Sequence, residues 1–110
     1  MARTTFSGPV VSQNGFIVGS GATIAKVLSG SASLNFGSIA SAAQADLTIA
    51  VTGAAAGDEV IMGLPAAPAA GIIFNAFVSA ADTVTIRASN ITAAPVDPAA
   101  ATYNVIVLSA

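Results

Sequence analysis

The chain has 110 residues, a formal net charge of −2, and is 55% hydrophobic but only 7% charged. That length holds one domain, and three basic residues, Arg3, Lys26 and Arg87, cannot build the phosphate-neutralising stripe that nucleic-acid binding needs. With no Cys and no His, disulfide staples, thiol nucleophiles, the usual general base and most zinc ligands are excluded, so no cofactor and no metal is expected.

A charge content far below the usual ~25% makes a surface that is poor at staying monomeric. As a compact globule, a chain of 10.6 kDa should expose roughly 5,500 Å². The N-terminal MARTTFSGPV lacks the continuous apolar run of a secretory signal, which leaves a cytosolic start as the expectation.

Residues 1–30 form a first segment with its own texture. FSGPVVSQNGFIVGSGATIAKVLSG (6–30) is rich in Gly and Ser, and Asn14-Gly15 supplies the pair that a tight hairpin turn requires. Two readings stay open: an arm that packs on a neighbouring subunit, or an edge hairpin of the main sheet. Gly19-Ser20-Gly21 lacks the third glycine of a dinucleotide loop and is read as a flexible turn.

Residues 31–110 read as an antiparallel all-β domain. Apolar side chains recur at every second position in ASLNFG (32–37), DLTIAVT (46–52), DTVTIRAS (82–89) and TYNVIVL (102–108). Residues 38–45 favour a helical turn by composition but are too few to stand alone as a helix. Gly53 and Gly57 bracket an alanine loop, and Pro95 and Pro98 bar a central strand between Asn90 and Ala101.

The uncharged run VIMGLPAAPAAGIIFNAFVSAA (60–81) is long enough on paper to cross a bilayer, where about 20 apolar residues suffice. A span needs a continuous helix, which Gly63, Pro65, Pro68 and Gly71 interrupt, and its flanks are acidic rather than basic. No membrane association is expected. The run is better divided into a strand over 58–64, a loop over 65–70 and a strand over 71–79. In the second strand Ile72, Phe74, Ala76 and Val78 point one way and Ile73, Asn75 and Phe77 the other, so both faces are apolar. Something must cover Ile73 and Phe77, either the same chain or an identical neighbour. The C-terminal strand raises the same question, with Tyr103, Val105 and Val107 opposite Ile106 and Leu108.

Polar chemistry is sparse. Asp58 and Glu59 are strand neighbours whose side chains leave on opposite faces, so they do not pair as an acid and a base. Arg87 is read as one half of a cross-strand pair, with an inter-subunit salt bridge as the alternative. Asn90-Ile91-Thr92 fits a glycosylation acceptor. A small hydrolase or lyase using Asp and Lys is a poorly supplied third class, and the chain is not expected to be an enzyme.

FSGPVVSQNGF (6–16), SLNFGSIAS (33–41), DLTIAVTGAAAGD (46–58) and FVSAADTVTIRASNIT (77–92) resemble capsid decoration (cement) proteins of tailed bacteriophages and related phage fibre-like β domains. The resemblance extends over most of the chain, and VSAADTVTIRASN and VTGAAAGD are its most specific parts. It implies that residues 31–110 form a single antiparallel β-sandwich, jelly-roll-like, made in the host cytoplasm, that assembles as a homotrimer on the outer surface of the virion. There it would tie neighbouring copies of the major capsid protein together. The alternative it allows is a receptor- or glycan-binding domain of a fibre or spike, which would want an aromatic platform from a chain with no Trp and one Tyr. On this reading subunit contacts are expected at Ile73, Phe77, Tyr103 and Ile106, and capsid contacts at Phe6, Pro9, Asn14 and Phe16.

Overall fold

A computed structural model describes residues 3–110. Eight strands run β1 (Phe16–Ile17), β2 (Thr23–Ile24), β3 (Lys26–Leu34), β4 (Gln44–Ala50), β5 (Glu59–Gly63), β6 (Ile72–Ala80), β7 (Thr83–Asn90) and β8 (Ala101–Ser109). They form three antiparallel sheets, ordered β1-β2, β3-β8-β5 and β4-β7-β6. The chain is therefore all-β, as its period-two patterning requires.

The two three-stranded sheets face one another across a common core. Leu34, Tyr103, Val105 and Val107 enter it from the first sheet, and Ile49, Val78, Val84 and Ile86 from the second. Burying each such aliphatic side chain contributes about 1.5–3 kcal/mol, which makes the inward rows of β7 and β8 the main source of stability. Phe36, Phe74 and Tyr103 form an aromatic group inside this layer, with ring centroids 5.6–6.0 Å apart. Phe36 lies just beyond the end of β3, since the chain leaves the sheet at Asn35 and turns at Gly37, where φ is +70°.

From β3 onward, successive strands alternate between the two large sheets except at β6–β7, a hairpin that carries a bulge between Val78 and Ala80. Its turn residue Asp82 adopts φ +60° and is pinned by three hydrogen bonds. Its carboxylate accepts from the Gly53 amide at 2.8 Å, its carbonyl from the Val51 amide, and its own amide donates to Ala54. The alanine loop after β4 is thereby fastened to the β6–β7 turn. Asp58 closes the same loop by accepting from the Ala55 amide at 3.0 Å.

Residues 38–45 contain no helix: Ile39 bridges to Val96 and the chain enters β4 at Gln44. No helix among the described residues is long and apolar enough to cross a membrane, and the run 60–81 is divided between β5, a loop and β6. Residues Lys26–Gly30, grouped by composition with the N-terminal segment, lie in β3 and pair with β8. Asn14-Gly15 is not the hairpin turn expected of it. It turns the chain into β1, and the β1–β2 hairpin closes instead over Val18–Ala22, where Gly21 donates to the Val18 carbonyl at 3.1 Å. Gly15 is nevertheless required, because at φ +79° a Cβ there would sit 2.1 Å from the Ile24 carbonyl oxygen.

Candidate interaction surface

Residues 3–25 join neither large sheet. Their last link to the body is the Ala25 amide, which donates to the Ser109 carbonyl at 2.7 Å. Before that point only Gly15 and Ile24 are even partly buried, among the described residues. Phe6, Val11, Phe16 and Val18 are 66, 85, 51 and 76% exposed, and no charged residue lies between Thr4 and Ala25. All four expected capsid contacts, Phe6, Pro9, Asn14 and Phe16, are exposed along this segment. The molecule measures 58 × 29 × 24 Å. A nine-residue strand is about 30 Å long, well short of that longest extent.

The four expected subunit contacts do not form one patch. Ile73 and Phe77 lie on the outer face of β4-β7-β6, whereas Ile106 lies on the outer face of β3-β8-β5, on the far side of the core. Tyr103 is a correction: it faces inward and is 1% exposed, so it packs within its own chain rather than against a neighbour. Alternation had placed it beside Val105 and Val107, and those two are buried as well.

Most of the outer face of β4-β7-β6 is polar. Asp46 and Arg87 are register partners, joined by two parallel hydrogen bonds of 2.9 Å. The Arg87 guanidinium holds the Asp46 carboxyl below its ordinary value, and the carboxylate in turn favours the charged guanidinium. This is the cross-strand pair expected from the sequence. The same guanidinium lies 5.0 Å from the Phe77 ring centroid, a cation–π contact that covers part of Phe77 from within the chain. Thr85 donates to Ser79 beside it at 2.6 Å.

The outer face of β3-β8-β5 differs in kind. Val27, Ile106 and Ile61 stand there 59, 42 and 57% exposed, and Ile106 is the register partner of Ile61. Between them are Ser29, Ser31, Asn104 and Gly63, small or neutral, with Glu59 at the corner. This apolar stripe adjoins the arm, since Val10, Phe16 and Ile24 line the same hollow as Val27. Periodicity alone does not single out Val27 and Ile61, because only strand pairing sets Val27 beside Leu108 and Ile61 beside Ile106, on adjacent rungs of one face.

At the end of the body away from the arm, a cleft of about 230 Å³ is lined by Pro65, Pro68, Pro98, Ala99 and Tyr103. Burial raises the Tyr103 hydroxyl pKa, which takes it further from acid–base work near neutral pH. Among the described residues no three His, Cys, Asp or Glu side chains are grouped as a metal site. Asn90 is 2% exposed and fully engaged, so the Asn-Ile-Thr triplet is not an accessible acceptor in the folded chain. No protein-family model matches the chain, and neither a curated protein nor a solved structure does.

Proposed function

We propose that the chain is a structural virion protein, a capsid decoration protein that binds the outer surface of a phage head and stabilises neighbouring major capsid subunits. The observation that carries this reading is the arm, an uncharged, apolar segment held out from a well-packed body. Such a segment costs solubility and makes sense where a partner covers it. A protein that binds only the assembled lattice favours that lattice by mass action, which needs contact surface and no catalytic group.

The strand order supports a jelly-roll-like sandwich. Within the body the first strand pairs with the last, β3 with β8, and the second with the second last, β4 with β7. This nested pairing is what results when one long antiparallel hairpin is rolled up. The likeness of residues 6–16, 33–41, 46–58 and 77–92 to phage decoration proteins points the same way.

The test is quantitative mass spectrometry of purified virions of the encoding phage, together with the heat stability of heads that lack the chain. A fixed ratio to the major capsid protein, and heads that open at lower temperature without the chain, are expected. Absence from purified virions would overturn the proposal.

A further inference from the structure

We propose that Asn14-Gly15 is a site of spontaneous chemical modification, at which the Asn14 side-chain amide is lost with time and a carboxylate is written into the uncharged arm. The site belongs to the chain by itself and does not rest on the virion reading. Ring closure at an asparagine needs a side chain free to turn back on the chain and a following residue whose nitrogen is unobstructed. Glycine, with no Cβ, obstructs it least. Of the five asparagines only Asn14 is followed by glycine. The pair lies outside both large sheets, in the turn that leads into β1, and Asn14 is exposed. That turn is held by the Ser12 hydroxyl, which donates to the Gly15 carbonyl, and not by the Asn14 amide. Nor can a bulkier residue stand in for Gly15 and shield its nitrogen, because a Cβ there would meet the Ile24 carbonyl oxygen at 2.1 Å. The fold thus builds the reactive pair into the root of the hairpin.

The other four asparagines are each held back. Asn90 is 2% exposed and fully hydrogen-bonded. Asn75 and Asn104 lie within β6 and β8, whose ladders fix the backbone, and are followed by Ala76 and Val105. Asn35 already accepts from the Gly37 amide at 3.2 Å and is followed by Phe36. At Asn14 the Gly15 amide nitrogen gives its proton to a base in solution and bonds to Asn14 Cγ. The Cγ–Nδ2 bond breaks and ammonia departs, leaving a five-membered succinimide ring. Water then opens the ring at Cγ, giving aspartate, or at the Asn14 backbone carbonyl carbon, giving isoaspartate with the chain rerouted through Cβ. One water enters, one ammonia leaves, and nothing is oxidised or reduced. Either product places a carboxylate in a stretch that has no charge from Thr4 to Ala25. Any partner that covers the arm would have to bury that charge, so conversion sets copies that have waited in solution apart from fresh ones.

The experiment is peptide mapping by mass spectrometry after the full chain has stood for several weeks at neutral pH. Trypsin cuts after Arg3, Lys26 and Arg87, so residues 4–26 come off as one peptide with Asn14 as its only asparagine. That peptide is expected to gain one mass unit and to split into aspartate and isoaspartate forms on reversed-phase chromatography. It should convert at least about tenfold faster than the peptides 27–87 and 88–110, which corresponds to a barrier lower by about 1.4 kcal/mol. Asn14 is exposed and outside both sheets, so Asn14→Gln should keep the fold by circular dichroism and slow the change by about tenfold or more. Residues 4–26 converting no faster than the other peptides would overturn the proposal. So would conversion that continues at the same rate in Asn14→Gln, which would place it at Gln13. A matched sample in urea supplies the second measurement. Unfolding is expected to speed the other sites and leave Asn14 nearly unchanged, and a rise of about tenfold at Asn14 would show that the folded arm shields it, against the proposal. A chain that converts at Asn14 yet is absent from virions would leave the site standing while removing the decoration role.

Discussion

Asn90 shows how much one buried amide can organise. Its Nδ2 donates to the Ile39 and Ala94 carbonyls at 2.9 Å, and its Oδ1 accepts from the amide and hydroxyl of Thr92 at 2.8 and 2.7 Å. These bonds tie the segment before β4 to the segment after β7, where prolines prevent a regular strand. Asn90→Ala would take one donor from the Ile39 and Ala94 carbonyls, which keep the Val96 amide and the Thr92 hydroxyl, and would leave the Thr92 amide without its partner. The expected loss is about 1–3 kcal/mol in urea denaturation, and a loss below about 0.5 kcal/mol would show that water replaces the side-chain amide. The exposed Asp46–Arg87 pair behaves differently. Because the folded-state pKa of Asp46 is depressed, its contribution is present above the ordinary value of 3.8 and is lost as pH falls through the folded value. The stability difference between wild type and Asp46→Asn should therefore hold steady near neutral pH and shrink below pH 3.8. A difference that persists down to about pH 2 would mean that the pair is not its source.

At the scale of the element, β3 explains what the sequence conceals. Its outward row contains Ser29, Ser31 and Ser33 and its inward row Gly30 and Ala32, a composition that reads as loop. The glycine has a packing cause. A Cβ at Gly30 would lie 2.7 Å from Val51 Cγ2 and 3.0 Å from the Ala50 carbonyl oxygen, which is backbone and cannot rotate away. Gly30→Ala should cost about 1–3 kcal/mol by overpacking the contact between β3 and the end of β4. Ser31→Ala, on the exposed face, should change stability by less than about 0.5 kcal/mol. Thermal melts of the two variants separate these outcomes, and equal effects would deny that β3 and β4 are crowded there. β6 was legible for the opposite reason. Ile72 and Val78 are large enough to mark an inward row, and they are buried while Ile73 and Phe77 are exposed, as alternation requires. Register was not legible at all. Nothing local says that Asp46 faces Arg87, or that Val27 and Ile61 flank β8, because both facts depend on strand order. The interface residues expected from the sequence were accordingly scattered over two faces and the core.

For the whole molecule, the decisive property is that the arm is held out rather than folded back. A compact chain of this length has a radius of gyration of about 13 Å, whereas this one has 17.4 Å and a longest extent of 58 Å. Two features keep the arm away from the body. The Ala25–Ser109 hydrogen bond sets its direction at the root, and Gly15 brings β1 against Ile24, so the short hairpin satisfies part of its own backbone without using either sheet edge. The opposing force is hydrophobic: Phe6, Val10, Val11 and Val18 would all gain by collapsing onto the Val27–Ile106–Ile61 stripe of their own chain. Small-angle X-ray scattering of the chain at high dilution decides between the two. A radius near 17 Å and a maximum dimension near 58 Å are expected. A radius near 13 Å would mean that the arm returns to its own body when alone.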